Sequence, residues 1–148
     1  MAKIILVVPG RPIAKQRART FRNKYTGKVM SYTPKETVNY ANLIKTIYIN
    51  KYGQYKLEGA LKQTIRAYYL IPKSTSRKKR ELMIDDKIRP TKKPDYDNIE
   101  KICSDALESI VAFDNDNQIV SSEFNKWYSD NPRVEIEIEE LNKLEEEK

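Results

Sequence analysis

The most regular pattern of apolar positions lies late in the chain. From Ile99 they fall at Ile99, Ile102, Cys103, Ala106, Leu107 and Ile110, one face of a 3.6-residue period, while Asp97, Lys101, Ser104, Asp105 and Glu108 occupy the other face. Pro94 biases its predecessor towards extended backbone, so the helix is expected to begin just after it. Residues 3–8 are an apolar run after Lys3 and read as a buried strand that ends at Pro9-Gly10. Tyr25-Thr26-Gly27 reads as the turn of a short hairpin. A helix is expected next, with Thr33 as cap, Pro34 in the first turn and Glu36 completing a Thr-x-x-Glu capping box. Its stripe is Tyr40, Ala41, Ile44, Ile47 and Tyr48, and Gly53 ends it. Residues 60–71 read as a second long strand, and Ser76 as the cap of a short helix containing Arg77 and Met83. After the central helix, residues 118–128 read as a strand. Residues 129–132 then turn, and Val134, Ile136 and Ile138 alternate with Glu135, Glu137 and Glu139 as a half-buried strand with one wet face.

Length makes this one domain, residues 1–148, with an acidic and frayed tail from about Asn142. The chain is 39% hydrophobic and 33% charged, within the range of a folded polar domain. No apolar run approaches a membrane span, and the N-terminal run is too short for a secretory signal, so a cytoplasmic protein is expected. One cysteine excludes an internal disulfide framework, and the absence of histidine excludes histidine metal sites and histidine bases. Cys103, on the apolar helix face, reads as a buried structural thiol. The ten tyrosines read as packing at layer edges.

Charge is divided along the chain. Residues 1–93 hold 23 Lys and Arg against 5 Asp and Glu, and residues 94–148 hold 5 against 16. A basic surface beside an acidic pocket suits nucleic acid held near cations. Residues 11–28 carry Arg11, Lys15, Arg17, Arg19, Arg22, Lys24 and Lys28 without an acidic residue, with Phe21 and Tyr25 interleaved. They suit a phosphate backbone and equally a solvated basic face. Residues 77–80, Arg77-Lys78-Lys79-Arg80, form a second basic run.

Asp95 and Asp97 stand where the central helix starts, and Asp114 and Asp116 follow its end. If the second patch folds back on the first, carboxylates from two segments form a hard-oxygen site for Mg²⁺ or Mn²⁺. Lys101, one turn from Asp97, is placed to stabilise charge on a phosphate oxygen. The plainer alternative is a helix cap, a surface ion pair and an Asx-rich turn. A calcium loop beginning at Asp114 fails, because its sixth and twelfth places hold Ile119 and Asn125. The Asp-x-Asp of aspartyl-phosphate phosphatases follows a buried strand, and here it follows Arg89-Pro90-Thr91-Lys92-Lys93-Pro94. No Walker loop or dinucleotide-binding glycine fingerprint is present, and histidine-dependent triads are excluded.

The segment Lys93-Pro94-Asp95-Tyr96-Asp97-Asn98-Ile99-Glu100-Lys101, then Asp105-Ala106-Leu107 and Asp116-Asn117-Gln118-Ile119-Val120, resembles the RusA family of Holliday-junction resolvases, found often in bacteriophages and prophages. The early basic segment, the Tyr-Thr-Pro-Lys helix start and the length also fit. The resemblance implies an α/β (α+β) fold with a single mixed β-sheet packed against helices, and a homodimer. It implies a crossover junction endodeoxyribonuclease that uses Mg²⁺, or Mn²⁺, to make paired symmetric nicks with 5′-phosphate ends in DNA recombination and repair. Asp95 and Asp97 match the family's paired catalytic aspartates, Lys101 its essential lysine and Asp116 its later acidic residue. Asp95, Asp97 and Asp116 are the expected metal ligands. Arg11, Lys15, Arg17, Arg19, Arg22, Arg77, Lys78, Lys79, Arg80 and Lys126 are the expected DNA contacts. One departure is Asn115, where the family has an aspartate, with Asp114 one place earlier. Another is Glu108-Ser109-Ile110, where the family often has a glycine near the helix end. The alternatives are a general flap or fork nuclease of this fold, and a non-catalytic DNA-binding dimer.

Overall fold

The computed structural model describes residues 2–109 and 111–141. Ile110 and the acidic tail from Asn142, both part of the sequence expectations above, lie outside them. The first apolar run forms strand β1, Lys3–Pro9, but it is not buried throughout. Ile4, Leu6 and Val8 are buried, while Ile5 and Val7 are 38% and 49% exposed. The cause is that only one face of the strand meets the core.

Residues 19–32 form the expected hairpin, β2 (Arg19–Arg22) with β3 (Val29–Tyr32), exposed along both strands. Helix α1, Lys35–Tyr52, buries Tyr40, Ile44 and Tyr48 and ends at Gly53, whose φ of 66° favours glycine. Its start differs from expectation. Pro34 is the cap residue, and no side chain caps the first turn. Glu36 does not close a capping box with Thr33, because Arg11 and Gln16 hold its two carboxylate oxygens at 2.7 and 3.2 Å.

Strand β4, Leu61–Leu70, alternates buried and half-buried residues along its length. Ser76 then caps α2, Arg77–Ile84, accepting from the Lys79 amide at 3.3 Å. Helix α3, Tyr96–Leu107, buries Ile99, Ile102, Cys103, Ala106 and Leu107, the face its periodicity marks. A 3-10 turn, Asp116–Gln118, leads into β5, Ile119–Ser129, and β6, Arg133–Glu140, completes the chain.

The main sheet is mixed, with strand order β1-β6-β4-β5. β6 runs antiparallel to both β1 and β4, and β5 runs parallel to β4. A parallel pair needs a crossover, and the stretch that carries α2 and α3 supplies it. One hydrophobic core joins Ile4, Leu6 and Val8 with Ile65, Ile136 and Ile138 from the sheet, and with Tyr48, Ile44, Ile99 and Ile102 from α1 and α3. The opposite sheet face is not simply wet, as the alternation of β6 led one to expect. Glu135 and Glu137 are each 19% exposed at the side chain and bind Arg66, Arg133 and Lys3.

Candidate functional site

Asp95 occupies the cap position of α3, yet its carboxylate makes no capping hydrogen bond. The cap reading therefore does not account for this side chain. The backbone just before it is held from the sheet, where the Tyr69 hydroxyl donates to the Pro94 carbonyl at 2.6 Å. Burial pushes the Tyr69 pKa up to about 12, with the negative charge of Asp95 adding to it. Lys126 also stands beside this corner. Its ammonium donates to the Lys92 carbonyl at 2.8 Å and lies 5.2 Å from the centre of the Tyr69 ring. Burial lowers its pKa, and Asp95 opposes that shift. Asp97 is in the first turn of α3, where the positive end of the helix dipole favours a carboxylate. Lys101 follows one turn later.

A second wall comes from the chain after α3. Ala112 and Phe113 donate backbone hydrogen bonds to the Leu107 carbonyl at 2.8 and 3.3 Å, and Val111, Ala112 and Phe113 are buried. The following loop is pinned by Gln118, whose side-chain oxygen accepts from the amides of Asp114 and Asn115, both at 3.0 Å. Asn115, the departure from the family pattern, shapes this loop through its side chain, which accepts from the Asn117 amide at 2.8 Å. Asp114 is turned away to an ion pair with Lys56. Asp116 is thereby left facing α3. Asp97, Glu100, Lys101, Ser104 and Asp116 line one recess of about 260 Å³, with the buried side chain of Gln63 at its base.

Carboxylate oxygens of Asp105, Glu108 and Asp116 lie within 4.8 Å of one another, the one such group of three among the described residues. Asp105 also binds Lys15 at 2.5 Å. Asp95 lines an adjoining cleft, and Asp97 lines both cleft and recess. Of the catalytic residues expected from the sequence, Asp97, Lys101 and Asp116 line the recess and Asp95 lines the cleft beside it, so the expected metal set of Asp95, Asp97 and Asp116 does not converge as one cluster. Glu100, Asp105, Glu108 and Gln63 were not expected as site residues. Asp105 and Glu108 carried a signal in their place on the polar face of α3 beside Asp97 and Lys101. Gln63 carried none in its strand. The donor set is all oxygen, and the side-chain carbonyl of Gln63 has no hydrogen-bond partner among the described residues. That chemistry fits a hard divalent cation such as Mg²⁺ or Mn²⁺.

The adjoining cleft, about 810 Å³, runs between the segment of residues 11–19 and the turn of residues 93–98. Up to residue 18 the segment has no regular structure, but it is tethered at several points. The Gly10 amide donates to the Pro132 carbonyl at 3.1 Å, the Lys15 amide to the Asn98 carbonyl at 3.0 Å, and the Gln16 amide to the Thr37 hydroxyl at 3.2 Å. Arg17 and Arg19 are on the cleft wall, whereas Arg11 and Lys15 are engaged with Glu36 and Asp105. Arg22 lies on the hairpin and donates to the Gly27 carbonyl at 2.9 Å. Residues 77–80 line neither compartment. Arg77, Lys78 and Lys79 are exposed, and Arg80 is paired with Asp130.

Residues 9–139 match the family model described as Endodeoxyribonuclease RusA. A curated relative, the uncharacterized protein YqaN of Bacillus subtilis (strain 168), is 32% identical over 142 residues, covering 94% of this chain and 97% of its own length.

Proposed function

The chain belongs to the RusA family of endodeoxyribonucleases, and from that premise we propose that it is a Mg²⁺-dependent Holliday-junction resolvase, acting as a homodimer. One observation carries the reading: Asp97 forms the shared wall between a recess lined by carboxylates and a cleft lined by arginine and lysine. A phosphodiester backbone in the basic cleft passes the acidic recess at that wall. A non-catalytic binder gains nothing from carboxylates turned towards phosphate.

Asp97 and Asp116 are the ligands proposed for the cation, with Asp95 contributing from the cleft side and Asp105 and Glu108 adding negative charge beyond Asp116. A bound Mg²⁺ or Mn²⁺ supplies Lewis-acid polarisation of the phosphodiester and a lowered pKa for an attacking water. Arg17 and Arg19 hold the strand through its phosphates, while Arg11 and Lys15 contribute after exchanging their intramolecular partners. Lys101, exposed in the recess and in no ion pair among the described residues, donates to a phosphoryl oxygen as charge develops there. Lys126 offsets the charge of Asp95 and keeps the start of α3 in place. Its role here is support, and residues 77–80 are assigned to outlying duplex arms. Two copies related by a two-fold axis present two such recesses to opposing strands of a four-way junction, giving paired nicks with 5′-phosphate ends.

Asp97→Asn tests this directly. It keeps the shape of the helix start and removes one negative charge. Expected is junction binding in EDTA within a few-fold of wild type, with cleavage lost in Mg²⁺ and in Mn²⁺. Normal cutting by Asp97→Asn would remove Asp97 from the cation site and the reading with it.

A further inference from the structure

Gln63 lies on the core-facing side of β4 between Leu61 and Ile65, both fully buried, and is itself 2% exposed. Its neighbours across the sheet are Ile138 of β6 and Ser122 of β5. The Ser122 hydroxyl is committed to Glu100, to which it donates. The side-chain carbonyl oxygen of Gln63 accepts from no group among the described residues. A buried carbonyl without a donor is costly, and an apolar residue would fill this place in the strand without that cost. Gln63 also lines the recess formed by Asp97, Lys101 and Asp116. The oxygen is closed to water as the side chain stands, so a donor entering the recess meets it once the terminal amide swings towards that face.

We propose that Gln63 is a positioning residue of the cation site, its side-chain oxygen accepting a hydrogen bond from water in the hydration shell of the divalent ion held by Asp97 and Asp116. The inference rests on the cation reading above and assigns a residue that reading does not need. Mg²⁺ retains several waters when carboxylates bind it, and those waters are strong donors. An amide suits the position better than another carboxylate. It orients a water without adding negative charge in front of the scissile phosphate. Partners of this kind, one step removed from the metal, commonly shift affinity by about 10- to 100-fold.

The test is Mn²⁺ titration without DNA, followed by the electron paramagnetic resonance signal of free Mn²⁺, on wild type, Gln63→Leu, Gln63→Met and Asp97→Asn. Thermal melts in EDTA accompany it. Expected for Gln63→Leu is an Mn²⁺ affinity about tenfold weaker with an EDTA melting temperature at or above that of wild type. A merely structural glutamine gives the opposite pattern: a lower melting temperature and unchanged Mn²⁺ affinity, which overturns the proposal. Gln63→Met makes the same comparison with an unbranched side chain should the leucine variant fail to fold. The two readings separate cleanly. Wild-type Mn²⁺ affinity in Asp97→Asn sinks the cation site itself, whereas loss in Asp97→Asn with wild-type affinity in both Gln63 variants sinks only the role of Gln63.

Discussion

Single side chains divide into those that face the recess and those that hold it in shape, and neighbouring aspartates fall on opposite sides of that line. Asp116 faces the recess, while Asp114, two residues earlier, is paired with Lys56. Asp114→Ala is therefore expected to cut junctions at close to the wild-type rate, whereas Asp116→Asn loses cleavage; single-turnover assays on the two variants make the comparison. Lys101 has no ion-pair partner among the described residues, so its ammonium is available to substrate. Lys101→Ala is expected to lower the single-turnover rate by about 100-fold or more, the usual effect of removing one preorganised donor from a developing oxyanion, with junction affinity in EDTA unchanged. Asp95, Asp97, Lys101 and Asp116 stand out in the sequence because their spacing on a helix and after it is a local matter, and their proposed roles come from the family resemblance. Gln63 was not legible, since a lone glutamine in a strand announces neither its burial nor its orphaned carbonyl. The exchange of Arg11 and Gln16 for Thr33 as partners of Glu36 was equally hidden, because those residues are distant in sequence and meet only through the fold.

Elements carry these side chains on two kinds of support. The loop between α3 and β5 is anchored by Phe113, fully buried, and by the hydrogen bonds of Gln118. Phe113→Ala is expected to cost about 3–5 kcal/mol of stability in urea unfolding, the range for large aromatic deletions in a core. The basic segment of residues 11–18 is tethered rather than folded into an element, and Arg19 opens the exposed strand β2, so these arginines are replaceable without loss of fold. Arg17→Ala and Arg19→Ala are expected each to weaken junction binding and to reduce the slope of log affinity against log salt by about 1. A different support lies across the outer sheet face. The hydrogen bond from Lys3 and the charge of Arg66 hold the Glu137 carboxyl below its ordinary value. Burial works against the same shift in Glu135, and Arg66 and Arg133 together outweigh it. Both groups have folded values below the unfolded value near 4.5. Their contribution to stability is thus present above that pH and lost as the pH falls through the folded values. Melting temperature should hold steady from pH 7 to about 5 and drop below about 4.5, and Glu137→Gln should make that acid limb shallower. The alternation of β6 revealed the strand. It gave no hint that its glutamates meet Arg66 of β4 and Lys3 of β1, since sheet order is set by long-range pairing.

For the whole molecule, the charge division along the chain becomes a division in space: basic cleft and acidic recess adjoin at the start of α3. The fold class followed from the family resemblance, and the mixed sheet packed on helices agrees with it; the order β1-β6-β4-β5 required the structure. Among the described residues, no helix is long and apolar enough to cross a membrane. A resolvase reading also requires two copies, so sedimentation is expected to give twice the mass of the 17.4 kDa chain. The most direct measurement is cleavage of a labelled synthetic four-way junction, with linear duplex, flap and fork controls, in Mg²⁺, Mn²⁺ or EDTA. The expected result is paired, symmetric nicks on the junction, with ligatable 5′-phosphate ends and no cutting in EDTA. Equal cutting of flaps and forks would instead mark a general branched-DNA nuclease. Tight junction binding with no cutting in either metal would contradict a catalytic role for the recess altogether.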